Sequence, residues 1–204
     1  MIAIVKYNAG NIRSVVNAMH RLGVDPVLTD DPKLLRLAER VIFPGQGEAS
    51  QAMHYLRLHG LDQVLLSLTQ PVLGICVGQQ LLCRSSEEGD CQCLGLFDVP
   101  VLKFRPPRNE GCHHYKVPCM GWNSLHNMTT PLYQGVQEGA YVYFVHSYYV
   151  PLCKDTIATS HYIEPYSASL HRDNFYATQF HPEKSGDVGE KILQNFLSLT
   201  SPRP

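Results

Sequence analysis

Hydrophobic and polar positions in the first half of the chain change repeatedly between two spacings. Short β-branched runs predict strands, and the segments after them place apolar residues three and four positions apart, which predicts helices. The predicted elements, in chain order, are a strand at 2–6, a helix at 11–22, a strand at 24–28, a helix at 32–38, a strand at 41–43, a helix at 48–58, a strand at 72–75 and a helix from 77 to about 83. Such alternation is typical of parallel strands joined by crossover helices, and it predicts an α/β sheet covered on both faces.

The second half has a different pattern, in which strand-like segments follow one another with only turn-rich segments between them. These segments are 99–104, 141–150, 156–163, 167–171 and 175–180. Their direct succession predicts an antiparallel section added to the mostly parallel central sheet. A helix at 186–199 closes the chain. Because no repeat, low-complexity segment or linker interrupts the pattern, we expect residues 1–204 to form a single domain.

Composition and charge exclude several classes of function. The 204 residues are 44% apolar and 17% charged, with a formal net charge of −1, which offers no electrostatic attraction for nucleic acid or an anionic membrane. No apolar run approaches the ~20 residues that a membrane helix needs, and the N-terminal segment lacks the basic region and cleavage site of a signal peptide. Seven cysteines without framework spacing favour a reducing compartment. We therefore expect a soluble cytoplasmic protein.

The motif that carries most chemical information is Gly-Ile-Cys-Val-Gly at 74–78, directly after an apolar run. A nucleophile between two such glycines at the end of a strand is typical of a sharp strand-to-helix turn that lifts the central side chain above the sheet. The central residue is Cys76. A thiol near its reference pKa of ~8.5 is mostly protonated at neutral pH, so a catalytic cysteine needs a base or a positive field. The start of the following helix could supply such a field.

His181 is the best candidate for that base among the ten histidines of the chain. It follows a predicted strand and precedes Pro182, which disfavours a helical conformation at His181. In an extended chain Glu183 would lie on the same side as His181 and could orient the imidazole. Both motifs stand at strand ends, where the active sites of open α/β sheets gather.

Attack on a carbonyl also needs donors for the oxyanion. The amide of Val77, directly after Cys76, is one candidate. The second is expected in the Pro-Gly-Gln-Gly segment at 44–47, which follows the neighbouring predicted strand and whose glycines allow close backbone approach.

In combination, these motifs resemble the class I glutamine amidotransferases, which use a Cys-His-Glu triad on a flavodoxin-like fold. Further stretches resemble, more narrowly, the glutaminase subunit of imidazole glycerol phosphate synthase, an enzyme of histidine biosynthesis. They are Tyr-Asn-Ala-Gly-Asn at 7–11, Pro-Cys-Met-Gly-Trp-Asn at 118–123, Tyr-Phe-Val-His-Ser-Tyr at 143–148 and His-Pro-Glu-Lys-Ser at 181–185. The resemblance covers nearly the whole chain.

The resemblance implies a role for each matching residue and implies no cofactor or metal. Cys76 would form a γ-glutamyl thioester, His181 would move protons, Glu183 would orient His181, and the amides of Gly47 and Val77 would bind the oxyanion. The positions that would hold glutamine are Gly45, Gln80, Glu88, Ser147 and Tyr148. Ammonia would pass to a separate (β/α)8-barrel cyclase subunit, with which the chain would form a heterodimer. The positions that would face this partner are Asn8, Asn11, Met120, Trp122, Tyr143 and Lys184.

Four residues at three places depart from the family pattern without touching the triad. Cys119 stands where a histidine is usual, Gln46 stands where a small apolar residue is usual, and Cys83-Arg84 replaces an aromatic residue and an acid.

Different functions are also compatible with parts of this pattern. The chain could be a metal-binding module, since several possible ligands for a tetrahedral Zn²⁺ site occur close together in it. These ligands are Cys91, Cys93, Cys112, His113, His114 and Cys119. Against a metal site, Cys-x-Cys is tighter than the spacing of zinc fingers. The chain could also be a glutaminase of another pathway, a γ-glutamyl peptidase, a DJ-1-like cysteine hydrolase or a catalytically silent scaffold.

Overall fold

The computed structural model describes residues 1–7, 12–45, 47–107 and 115–200 of the chain. Its strands, in chain order, are β1 (Ile2–Val5), β2 (Val27–Thr29), β3 (Arg40–Gly45), β4 (Val72–Cys76), β5 (Cys83–Ser86), β6 (Cys91–Gln92), β7 (Phe97–Lys103), β8 (Cys119–Ser124), β9 (Tyr141–His146), β10 (Tyr148–Tyr149), β11 (Thr156–His161), β12 (Pro165–Arg172) and β13 (Phe175–Thr178). Its α-helices are α1 (Ile12–Arg21), α2 (Pro32–Leu37), α3 (Ala49–Leu58), α4 (Leu61–Leu66), α5 (Val77–Leu82) and α6 (Gly186–Ser198). Two short 3₁₀ helices, Pro131–Tyr133 and Pro182–Lys184, complete the described elements.

The central sheet has seven strands in the order β11-β12-β13-β4-β3-β1-β2. The five strands from β13 to β2 run parallel, whereas β12 is added antiparallel to β13 at one side and β11 pairs antiparallel with β12. This arrangement confirms the predicted mostly parallel sheet with an antiparallel section. Strands β1, β4 and β13 are buried along their whole length, because helices and loops cover both faces of the sheet.

Two smaller sheets lie beside the central one. One has the order β10-β7-β5-β6, and the other is the antiparallel pair β8–β9. The predicted strand at 141–150 is therefore two strands, because β9 pairs with β8 and β10 pairs with β7 in a different sheet. Helix α4 and strands β5, β6 and β8 were not predicted. The β8 sequence has no regular alternation, and pairing with β9 is what makes it a strand.

The helix after β4 packs very closely on the end of β3. A Cβ atom added to Gly78, in the first turn of α5, would lie 2.1 Å from the carbonyl oxygen of Phe43. A Cβ atom added to Gly45 would lie 2.2 Å from the backbone nitrogen of Gly78. Both positions therefore require glycine, and their contact brings the ends of β3 and β4 together.

This contact predicts a large difference between two glycine substitutions. Gly78→Ala should lower the free energy of unfolding by about 3 kcal/mol or more, because a methyl group would be forced against fixed backbone. Gly139 has a φ of +78° but nothing within 4 Å of an added Cβ, so Gly139→Ala should cost only about 1–2 kcal/mol of left-handed strain. Urea unfolding followed by circular dichroism would compare them. Equal losses would show that the close approach at Gly78 is relieved by relaxation.

Candidate active site

Cys76 stands at the point where β4 turns into α5. Its backbone has φ 55° and ψ −110°, a conformation that residues with a side chain rarely adopt. Strain of this kind costs about 1–3 kcal/mol, and it persists only where the surrounding structure enforces it. Here the contact between Gly78 and Phe43 enforces the turn. The cysteine side chain is thereby placed at the edge of a cavity.

The cavity has a volume of about 370 Å³ and lies at the carboxyl ends of β3 and β4. Its lining residues are Gly47, Cys76, Val77, Gln80, Glu88, Pro118, Val145, His146, Ser147, Tyr148 and His181. The structure thus brings together eight of the residues that the sequence motifs single out. Two others lie behind the lining: Gly45 pairs with Cys76 in the β3–β4 register, and Glu183 contacts the far side of His181.

His181 and Glu183 form a buried pair. His181 Nδ1 lies 2.8 Å from Glu183 Oε1, and each side chain is 2% exposed. The extended chain expected after His181 is wrong, because Pro182–Lys184 is a 3₁₀ turn that folds Glu183 back under the imidazole. A carboxylate can only accept a hydrogen bond, so Nδ1 carries a hydrogen and Nε2 of the neutral ring is left as the base.

The charges around His181 favour its protonated form. Burial alone would lower the pKa of His181, but the neighbouring Cys76 and then Glu183 outweigh burial and raise the pKa to about 10. The imidazole therefore has a high affinity for the proton that leaves the thiol. Nε2 is buried and has no hydrogen-bond partner in the described part of the chain. It is thus available for proton exchange with Cys76.

The segment that should supply the second oxyanion donor is held by a buried phenol. Tyr7 Oη donates to the carbonyl oxygen of Pro44 at 2.6 Å. Gly47 has a φ of +100° and lines the cavity, as does Val77. Gln46, one of the departures from the family pattern, lies outside the described residues.

Two of the candidate glutamine-binding residues already have partners within the protein. Glu88 Oε2 accepts from the amide of Ala49 at 2.9 Å, at the start of α3, and burial raises the pKa of Glu88. Gln80 Nε2 donates to the carbonyl of Tyr148 at 3.1 Å and to Gln179 Oε1 at 2.9 Å. Both hydrogens of the Gln80 amide are therefore used internally, so Gln80 offers a ligand only its oxygen.

Sequence reasoning missed two buried residues at this site, Gln179 and His146. Gln179 Nε2 lies 3.8 Å from Cys76 Sγ. Its position two residues before His181, on the same side of an extended segment, was the available signal. His146 Nδ1 lies 2.7 Å from the carbonyl of Tyr148, and burial lowers the pKa of His146 to about 4, with His181 acting in the same direction. Nothing in the sequence pattern separates His146 from an ordinary core residue.

Strand β9 joins this site to an exposed apolar face. Its carbonyls at Tyr143 and Val145 contact the site, the first accepting from the amide of His181 at 2.9 Å and the second lying 3.8 Å from Cys76 Sγ. On the face of the β8–β9 pair away from the buried Val142 and Phe144, Met120 is 66% and Trp122 is 55% exposed. The Trp122 and Tyr143 rings meet edge to face at 6.1 Å between centroids. Met120, Trp122, Tyr141 and Tyr143 are called the β8–β9 patch below.

The remaining partner-facing candidates are placed unequally. Lys184 is half-buried and directly follows Glu183 in the chain. Asn8 and Asn11 lie outside the described residues. Cys119, where the family usually has histidine, lies opposite His146 in the β8–β9 register, and burial raises its pKa to about 11. Its thiol is therefore neutral at physiological pH.

The described residues contain no group of three or more possible ligands arranged to hold a metal ion. Cys91 Sγ and Cys93 Sγ lie 3.9 Å apart. The other candidate ligands Cys112, His113 and His114 fall outside the described residues. In the same ranges, no helix is long and apolar enough to cross a membrane.

Comparison with known proteins places this site in a family. Residues 4–199 match the family model for class-I glutamine amidotransferases. The chain belongs to that family.

More similar relatives identify the branch within class I. The HisH subunit of imidazole glycerol phosphate synthase from Bacteroides thetaiotaomicron is 56% identical over 198 residues, covering 97% of this chain and 99% of the relative. The HisH subunit from Yersinia pestis is 42% identical over 200 residues, with the same coverage. These identities place the chain among the HisH amidotransferases and confirm the resemblance seen in its motifs.

Solved structures of other amidotransferases share the fold. One described as a glutamine amidotransferase has a TM-score of 0.72 at 17% identity, and the PurLQS structure from Thermotoga maritima has a TM-score of 0.69 at 18% identity. Each alignment covers 97% of both chains. At these identities the likeness shows the class I amidotransferase fold alone.

The lowered pKa of His146 predicts a loss of stability in acid. The folded state keeps this imidazole neutral down to about pH 4, whereas the unfolded chain binds its proton near 6.5, so stability falls as the pH drops through that window. Lowering the pH from about 7 to about 4.5 should reduce the free energy of unfolding by about 2–3 kcal/mol through this one group. In His146→Asn, whose amide can still donate to Tyr148, that component should vanish. Urea unfolding at pH 7 and pH 4.5 would measure the free energy of unfolding of both proteins. If both lost the same stability in acid, a neutral, buried His146 would be contradicted.

Proposed function

We propose that this amidotransferase is the glutaminase subunit of an imidazole glycerol phosphate synthase, acting in the cytoplasm as one domain of 204 residues. It hydrolyses glutamine to glutamate and ammonia. The observation that carries the proposal is a cavity lined by a strained Cys76 and by His181, with Glu183 buried behind His181, in a chain of the HisH family.

The first half of the reaction forms a thioester. His181 Nε2 takes the thiol proton, and the Cys76 sulfur attacks the side-chain amide carbon of glutamine. The amides of Val77 and Gly47 stabilise the negative oxygen of the tetrahedral intermediate. His181 then gives its proton to the leaving nitrogen, the C–N bond breaks, and ammonia departs.

The second half returns the enzyme to its starting state. His181 takes a proton from water, the resulting hydroxide attacks the thioester carbon, and the C–S bond breaks. The proton passes back to the sulfur as glutamate leaves. Glu183 stabilises the imidazolium in both halves, because its carboxylate is fixed 2.8 Å from Nδ1 and neither side chain is open to solvent.

The acceptor of the ammonia belongs to another chain in this proposal. We propose a (β/α)8-barrel cyclase as the partner in a heterodimer, where ammonia joins a ribonucleotide to make imidazole glycerol phosphate and an aminoimidazole carboxamide ribonucleotide. The β8–β9 patch supports a docking role, because it is apolar, aromatic and exposed, and its strand β9 also contacts Cys76. Lys184, Asn8 and Asn11 complete the proposed interface.

Glutamate formation tests the function directly. With the barrel cyclase and its ribonucleotide present, the chain should produce glutamate at a rate well above that of the chain alone. Cys76→Ala should abolish this activity, because no other group can form the thioester, while synthesis from added ammonia should persist in the complex. Glutamate release by Cys76→Ala would exclude Cys76 as the nucleophile. Full activity that ignores the cyclase would assign the protein to another pathway.

The docking surface is tested by truncating its aromatic anchor. Trp122→Ala should raise the Kd for the cyclase about 30-fold, corresponding to the ~2 kcal/mol typical of a central aromatic contact. Leu58→Ala is the matched control, since Leu58 is 71% exposed on α3 and outside the β8–β9 patch. Titration calorimetry would measure both. Equal affinities for the two variants would place the cyclase on a different face.

A further inference from the structure

Gln179 is a buried amide in contact with the sulfur of Cys76. It lies one residue beyond β13 and is fully buried, and its Nε2 is 3.8 Å from Cys76 Sγ. That separation is within the range of an N–H···S hydrogen bond, because sulfur is larger than oxygen. Its Oε1 accepts from Gln80 Nε2 at 2.9 Å. The side chain therefore joins the nucleophile to a residue of the glutamine cavity.

The orientation of this amide is fixed by its neighbours. The carbonyl of Tyr148 can only accept, so the atom of Gln80 that faces it at 3.1 Å must be the nitrogen. The atom of Gln179 that faces the same nitrogen must then be the oxygen. This leaves the NH₂ group of Gln179 directed at the sulfur. Flipping either amide would set like groups against each other in a buried site.

The other groups near Cys76 differ from Gln179 in charge or are already occupied. His181, in the segment after β13, and Tyr7, in the segment after β1, both lie close enough to Cys76 to interact with it electrostatically. The Tyr7 hydroxyl donates to Pro44. His146 from β9 and Glu88 line the same cavity. Gln179 is thus an uncharged donor whose hydrogen bond does not depend on pH.

We propose that Gln179 is a hydrogen-bond donor to the thiolate of Cys76, which it stabilises and aims at the substrate. The proposal rests on Cys76 being the nucleophile, as argued above. A donor at this position stabilises the sulfur anion twice in the cycle: when the thiol is deprotonated, and when the thiolate leaves the thioester. The relay through Gln80 to the carbonyl of Tyr148 holds the donor in place.

The test is the pH dependence of Cys76 alkylation by iodoacetamide. The thiolate displaces iodide to form a C–S bond, so the rate follows the thiolate fraction. Mass spectrometry of the peptide that contains Cys76 separates it from the other cysteines. In Gln179→Met, which has similar shape but no donor, the pH of half-maximal rate should rise by about one unit, a tenfold loss of thiolate at a given pH. In the cyclase complex, kcat for glutamine should fall about tenfold with little change in KM.

Gln79→Met is the matched control. Gln79 is equally buried and donates to the carbonyl of Ser167 at 3.2 Å, away from the sulfur. Its alkylation profile should stay at the wild-type pH. If Gln179→Met fails to fold, Gln179→Leu also removes the donor without adding a charge, and the same rise is expected.

Two results would overturn the inference. An unchanged alkylation profile in a folded Gln179 variant would show that the amide has only a packing role, whatever happens to kcat. If the pH of half-maximal alkylation rose equally in Gln79→Met, the loss of either buried amide would be enough to disturb the site. Failure of the proposed function is recognised separately, because it would appear as glutamate release by Cys76→Ala.

Discussion

The active site depends on one close backbone contact, between the first turn of α5 and the end of β3. With no side chain at Gly78, the helix can approach the Phe43 carbonyl until only a hydrogen fits between them. Because α5 begins so close to β3, the chain turns from β4 into α5 at a single residue, Cys76, which takes up a positive φ. Gly47 and Val77, which follow the ends of β3 and β4, both line the cavity. The strain at the cysteine is stabilised by the buried parallel strands on both sides of β4.

The electrostatic design follows from burial. A histidine and a carboxylate with almost no exposure lose the solvation of their charges, and a pair of this kind seldom adds stability. The pair is explained by its role in proton transfer. Glu183 is held by a 3₁₀ turn and a 2.8 Å contact, so the imidazolium finds its partner already in place when a proton arrives. His146 lies in the same region but is kept neutral by burial, and thus avoids a second positive charge beside His181.

The sequence predicted those parts of the molecule that local patterns determine. Alternating strands and helices at 2–83 predicted the parallel sheet, and Gly-x-Cys-x-Gly predicted the turn at Cys76. The His-Pro-Glu motif predicted the contact between His181 and Glu183, although by a wrong conformation. Partnerships made at a distance were missed: β8 is a strand only because β9 pairs with it, and the segment 141–150 is divided because two sheets share it. Gln179 was missed for the same reason, since its partners are 99 and 103 residues away.

Strand β9 connects the active site with the outer surface of the molecule. Its backbone contacts both catalytic residues: the carbonyl of Tyr143 accepts from the backbone amide of His181, and the carbonyl of Val145 lies 3.8 Å from the sulfur of Cys76. The side chain of Tyr143 belongs at the same time to the outer aromatic face. A single strand therefore links the exposed aromatic face to the backbone of His181 and to the sulfur of Cys76, within three consecutive residues of the chain.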